Sequence, residues 1–227
     1  MRLIDVEQKI LTLNQPLLRT QDVSACLNIP LAQASKILER LTEAGHFLRL
    51  MRGKWAVTKN IDPLVLPEFL TLPFPSYISL QTALFYHGMI SQIPHTIYAV
   101  SLARTRLYKT ALGEISIHHI QPDFFFGYDM INQIKIASPE KALIDVLYLT
   151  SAKSRLFKTL PELDFPEHFD YKFANEIINN ISTVRIRAIV KERYKELLMQ
   201  NAKATVKEYT KNKSLTAALK KMRKEDV

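Results

Sequence analysis

Gln33, Lys36 and Arg40 stand three and four residues apart in the run Leu31-Ala-Gln-Ala-Ser-Lys-Ile-Leu-Glu-Arg-Leu41. On a helix that spacing gathers a carboxamide, an ammonium and a guanidinium on one side. Ser35 adds a hydroxyl between them. The carboxamide matches the hydrogen-bonding edge of adenine, and the two cations match guanine or a phosphate. Thr20 ahead of this run, and Arg52 and Lys54 behind it, supply a hydroxyl and two further cations. Together Thr20, Gln33, Ser35, Lys36, Arg40, Arg52 and Lys54 form a candidate DNA-contacting set.

The flanking residues predict how such a set would be held. Thr20 is placed to cap a short helix ending near Leu27, and Asn28-Ile29-Pro30 breaks that helix. Pro30 suits the first turn of the next helix. That helix repeats Leu31, Ala34, Leu38 and Leu41, with Ile37 beside them, as a face for burial, and Gly45 suits its C-terminal stop. Phe47 to Val57 reads as a hairpin with Arg52-Gly53 at its tip. A first helix over Leu3–Leu13, carrying Ile4, Ile10, Leu11 and Leu13, is expected to pack beneath. Helix, sharp turn, helix and two-stranded wing make a winged helix-turn-helix, a fold that sets its second helix in the major groove and its wing on the backbone or minor groove. A structural module of the same topology that binds protein is the competing reading.

The remaining chain organises around this. Four prolines between Pro63 and Pro75 predict a stiff, extended linker over 61–75. The expected organisation is a winged helix-turn-helix at 1–60, that linker, an α+β domain at 76–182 and a basic helical extension at 183–227. Within the third segment, Ser79 is placed to cap a helix Leu80–His87 ended by Gly88. Strands are expected at Thr96–Ser101, Ile115–Ile120 and Met130–Ala137, with a loop or hairpin arm carrying Arg104, Arg106 and Lys109. Ser138-Pro139-Glu140 opens a helix with a cap, a proline and an acid in the favoured order. Strands mixed with helices, without regular alternation, give an α+β class. Further helices are expected at about Lys172–Asn179 and Thr183–Asn201, with a last one capped by Ser214.

Charge follows the same division. The net charge is +9: residues 1–60 carry +4, 61–182 carry −3 and 183–227 carry +8. Basic surfaces of this kind attract nucleic acid through counterion release. No apolar run approaches the ~18 residues that a membrane helix needs. The early acid Asp5 argues against a secretion signal. The single cysteine, Cys26, reads as a small core residue. The expected location is the cytoplasm, without a membrane partner.

Chemistry of other kinds lacks a pattern. There is no glycine-rich phosphate loop and no Gly-x-Ser-x-Gly elbow. His118 and His119 are adjacent, so a strand points them to opposite faces, where they cannot share a metal. Asp123, Asp129 and Asp145 have no metal-ligand spacing. The expectation is a protein that is not an enzyme and has no cofactor and no metal.

Two stretches carry a family likeness. Pro75-Ser-Tyr-Ile-Ser-Leu-Gln-Thr-Ala-Leu-Phe-Tyr-His-Gly88 and Ala137-Ser-Pro-Glu-Lys-Ala-Leu-Ile-Asp-Val-Leu-Tyr148 resemble the signature segments of AbiEi abortive-infection antitoxins of type IV toxin–antitoxin systems. Members of that family resemble this chain also in an N-terminal winged helix-turn-helix whose wing ends in Arg-Gly-x-aromatic, here Arg52-Gly53-Lys54-Trp55. The likeness covers roughly the first two-thirds of the chain. It implies an antitoxin that represses its own operon on operator double-stranded DNA and neutralises a cognate nucleotidyltransferase-like toxin. The signature residues themselves read as structural, with Lys141 and Asp145 four apart and able to pair on a helix surface. Two other functions fit the residues: a ligand-responsive winged-helix transcription factor without a toxin, and a nucleic-acid-processing enzyme.

Overall fold

A computed structural model describes residues 2–57, 60–151 and 163–201. The molecule is α+β, with helices and two sheets. It divides into two compact units. The first joins Met1–Ala83 to Ile93–Ala137; the second joins Leu84–Gln92 to the residues from Ser138 onward.

The first unit opens with α1 (Leu3–Leu11), β1 (Leu17–Arg19), α2 (Thr20–Leu27), α3 (Leu31–Glu43), β2 (Leu48–Met51) and β3 (Lys54–Ala56). The three strands form an antiparallel sheet in the order β1-β3-β2. Val6, Ile10, Leu18, Val23, Leu27, Ala34, Leu38, Leu41, Phe47 and Trp55 share one core. Burying each large apolar side chain of this kind contributes roughly 1.5–3 kcal/mol, enough to hold short helices that would not persist alone.

The sequence pattern needs three corrections here. On α1 Val6 and Ile10 are buried, with Leu3 and, beyond the helix end, Leu13 partly buried against the same core, while Ile4 and Leu11 are exposed. On α3, Ala34, Leu38 and Leu41 are buried as expected, but Leu31 is 50% exposed, because the stripe begins only at the first full turn. Thr20 is the first residue of α2, not its cap. Arg19 holds the cap position, and its backbone N–H donates to the Asp22 carboxylate at 2.8 Å. The link between α2 and α3 turns through Asn28 in the left-handed region (φ 52°), a conformation asparagine tolerates better than most residues.

Gly45 ends α3 at φ 82°. Its N–H donates to the Thr42 carbonyl and the N–H of His46 to that of Leu41, both at 3.0 Å, which satisfies two carbonyls left open at the helix end. Gly53, at φ 74°, closes the β2–β3 hairpin where a side chain would be strained.

The segment expected to be an extended linker is mostly helical. Pro63–Val65 forms a 3-10 turn and Leu66–Thr71 a short helix, α4. Both helices carry a proline at N1 or N2, where its missing N–H costs nothing. Burial of Leu66 and Leu70 anchors α4. The Leu70 carbonyl, near the helix end, accepts from the Tyr108 hydroxyl at 3.3 Å and the Lys54 ammonium at 3.4 Å.

A six-stranded mixed sheet completes this unit. Its strands are β4 (Ser76–Ile78), β5 (Thr96–Ser101), β6 (Arg106–Thr110), β7 (Gly113–His119), β8 (Tyr128–Ile131) and β9 (Ile134–Ala137), in the order β6-β7-β5-β4-β9-β8. β5 pairs parallel with β7 and β4 parallel with β9; the other pairs are antiparallel. The expected arm with Arg106 and Lys109 is strand β6. The single strand expected over Met130–Ala137 is instead two strands, turned at Asn132 and Gln133, both with positive φ. Helix α5 (Leu80–Tyr86) follows β4.

In the second unit, the end of α5 is closed by Gly88 and Met89, whose N–H groups donate to Phe85 and Leu84 carbonyls at 2.9 and 2.8 Å. α6 (Pro139–Ser151) begins as its sequence predicts: the Ser138 hydroxyl accepts from the Lys141 N–H at 3.2 Å. α7 spans Tyr171–Asn179, capped by Asp170, and α8 runs from 184 to 201. Lys141 and Asp145 do pair, but not on a surface: both are buried, at 0% and 1% exposure. Glu140 is buried too, and accepts from the Asp170 backbone N–H at 2.8 Å. Val190 and Tyr194 are the buried residues of α8, with Ile186, Ile189, Leu197 and Leu198 half-buried beside them. The expected helix capped by Ser214, and residues 202–227 of the expected basic extension, lie outside the described residues.

Candidate nucleic-acid interface

The first unit positions its polar side chains on two flanks of α3. Gln33, Lys36 and Arg40 are exposed on one flank, with Ser35 half-buried. The other flank and the β2–β3 hairpin bound a groove of about 720 Å³ lined by Arg19, Thr20, Gln21, Leu31, Ala32, Ser35, Glu39, Arg49, Arg52, Gly53 and Lys54. Of the residues expected to contact DNA, the groove brings together Thr20, Ser35, Arg52 and Lys54. Gln33, Lys36 and Arg40 stand outside it, on the solvent side of the helix.

Two of the groove residues are committed inward. Thr20 is buried, and its hydroxyl accepts a hydrogen bond from Trp55 Nε1 at 2.9 Å. It ties the hairpin to the start of α2 and so acts as a support, not as an open donor. The Lys54 ammonium donates to the Leu70 carbonyl and lies over the rings of Phe69 and Tyr108 at 5.2 and 5.8 Å. Burial first, then the positive charges of Arg19 and Arg106, push its pKa below the ordinary lysine value. That ammonium anchors the hairpin on α4 and β6.

Exposed positive charge around the groove comes from Arg52, as expected, and from Arg19 and Arg49, which the spacing did not single out. Arg19 pairs with Asp22 at 3.0 Å, and that hydrogen bond and charge hold its pKa above the usual arginine value. Arg49 lies 5.4 Å from the Trp55 ring centre and 3.7 Å from Glu39. Arg106, on β6, sits 4.9 Å over the Tyr108 ring. The sequence signal for Arg19 and Arg49 was only the local excess of Lys and Arg, because their convergence on the groove depends on the strand order β1-β3-β2. Arg49 flanks the tip beside Arg52, while Arg19 arrives from β1 with register Arg19↔Lys54.

The other candidates take quiet places. His118 is buried on β7, with its Nε2 2.9 Å from the Ser116 hydroxyl, and its neighbour His119 is exposed on the opposite face. Burial lowers the His118 pKa to about 4, so it is neutral at pH 7. Asp123 and Asp129 are exposed and Asp145 is held by Lys141. Burial lowers the Lys141 pKa, against the raising effect of Asp145. Among the described residues no group of three or more His, Cys, Asp or Glu could hold a metal ion, and no helix is long and apolar enough to cross a membrane.

No protein-family model matches the chain, and no curated protein matches its sequence.

Proposed function

We propose that the first unit carries a winged helix-turn-helix that binds operator DNA, and that the chain is an antitoxin which represses its own operon. The observation that carries the DNA reading is the groove beside α3 with Arg19, Arg49 and Arg52 around it, joined to an exposed flank of Gln33, Lys36 and Arg40. A helix with a free polar flank beside a basic two-stranded wing suits insertion into a major groove, with the wing on the phosphates. Exposed arginines add affinity without sequence preference, and Gln33 with Lys36 adds the reading of base edges.

The antitoxin half rests on the likeness of Pro75–Gly88 and Ala137–Tyr148 to the AbiEi signature segments. The partner it implies is a nucleotidyltransferase-like toxin, and the expected place is the cytoplasm. The interior placement of Glu140, Lys141 and Asp145 supports a structural part for the second signature. It gives no support to a nucleic-acid-processing enzyme, whose acids would face a substrate.

Co-expression separates the two halves. The full chain with Gln33→Ala, Lys36→Ala and Arg52→Ala is expected to lose repression of its own promoter while still protecting cells from the toxin encoded beside it. Retained repression would remove the DNA reading. Lack of protection by the unaltered chain would remove the antitoxin reading.

A further inference from the structure

The lining of the groove beside α3 mixes two chemistries, and DNA binding as described above uses only the polar one. Arg19, Arg49 and Arg52 give the groove its charge, while Leu31, Ala32 and Gly53 add lining without a polar side-chain atom. Leu31 is 50% exposed, and Ala32 beside it is exposed too. Leu31 stands where the apolar repeat of α3 begins, yet the core takes Ala34, Leu38 and Leu41 and leaves it out. A lone exposed leucine is ordinary on a protein surface. Two neighbouring apolar side chains on the lining of a basic groove are a narrower observation, because they share that lining with the arginines suited to phosphates.

Their position fixes which part of a duplex they meet. Leu31 and Ala32 are the first two residues of α3, and the N-terminal residues of a recognition helix are those that reach base edges in the major groove. Pro30 ahead of them provides no side-chain cap, so the positive end of the helix stays open to a phosphate. Ser35, one turn after Leu31, lines the same groove, whereas Gln33, Lys36 and Arg40 do not. A duplex that engages α3 together with Arg49 and Arg52 therefore meets the side of the helix that carries Leu31, Ala32 and Ser35. In the major groove an apolar side chain has one matching partner, the 5-methyl group of thymine. Against the donors and acceptors of the other base edges it would strip water and give no hydrogen bond in return.

We propose that Leu31 and Ala32 read thymine in the operator through its 5-methyl group. The contact rests on the DNA-binding reading above and deepens it. It adds a sequence preference that arginines on phosphates lack, and one distinct from the reading of donors and acceptors by Gln33 and Lys36.

Deoxyuridine in place of thymidine tests this, because it removes the methyl group and leaves every base-pairing group, and the protein, unchanged. The full chain is titrated with labelled duplexes of its own promoter, each carrying one such replacement, and with an unrelated duplex of the same length. A few replacements are expected to weaken binding about fourfold each, the worth of one buried carbon group, and the rest to have no effect. Leu31→Ala is expected to melt close to the parent and to shrink the loss below about twofold at one or more of those positions. Arg49→Gln with Arg52→Gln weakens every duplex but is expected to keep the loss. Promoter binding that no replacement weakens overturns the proposal, as does a loss that Leu31→Ala retains in full at every position. A promoter duplex bound no better than the unrelated one removes the DNA-binding reading itself, and this contact with it.

Discussion

Trp55 of the hairpin donates its indole N–H to the hydroxyl of Thr20 at the start of α2, 2.9 Å away, and both side chains are buried. This bond crosses from β3 to α2 and so sets the hairpin against the helices. Trp55 also gives Arg49 a ring to lie on. A residue expected to touch DNA is therefore one that orients its neighbours around the groove.

Thr20→Val keeps the shape and removes the acceptor. It leaves the indole N–H buried without a partner, which costs about 1–3 kcal/mol. Urea denaturation is expected to register that loss, and DNA affinity is expected to fall only as far as the hairpin loosens. A variant as stable as the parent would show that the bond does not hold the hairpin.

Lys141 and Asp145 yield a prediction that separates structure from catalysis. Removing one partner leaves the other charge buried, and such changes cost roughly 3–5 kcal/mol. Asp145→Asn and Lys141→Met are each expected to lose protection against the toxin together with loss of the folded circular dichroism signal. The double variant Lys141→Met with Asp145→Leu is expected to regain much of the stability. A folded Asp145→Asn chain that fails to protect would favour an enzyme.

His118 makes stability depend on pH in a known direction. Burial lowers its folded pKa to about 4, below the unfolded value of about 6.5. The unfolded chain then binds the proton more readily, so acid favours unfolding. The stabilisation is complete above the unfolded pKa and is lost as pH falls from about 6.5 toward about 4, amounting to on the order of 3 kcal/mol. Denaturation midpoints measured across that window are expected to fall steeply for the parent and less steeply for His118→Asn. Equal slopes would place the pH dependence elsewhere.

Much of the fold was legible where local chemistry decides it. Ser138-Pro139 and the glycines at 45 and 53 mark ends and turns through backbone geometry alone, and Thr96–Ser101 is a strand by its β-branched run. Readings that needed tertiary context went differently. Leu31 belongs to the apolar repeat of α3, yet it is exposed beside the groove. The prolines after residue 62 suggested an extended chain, but a proline at the start of a helix permits one, and burial of Leu66 and Leu70 stabilises it. Lys141 and Asp145 have a spacing common on helix surfaces, and nothing in four-residue spacing tells burial from exposure. Within the site, the α3 flank could be read from periodicity. Arg19 and Arg49 could not, because their approach to Arg52 is set by strand order.

Equilibrium binding of the full chain to a labelled duplex from its own promoter, and to single-base variants of it, tests the role of α3. Titrations are run over a range of salt for the parent, Gln33→Ala and Arg49→Gln with Arg52→Gln. Gln33→Ala is expected to lose about 1–3 kcal/mol of discrimination at one base pair while the salt slope holds. The double arginine variant is expected to bind every duplex more weakly and to flatten the slope by about two units. Parent-like affinity, discrimination and slope in both variants would contradict DNA recognition by α3 and its hairpin.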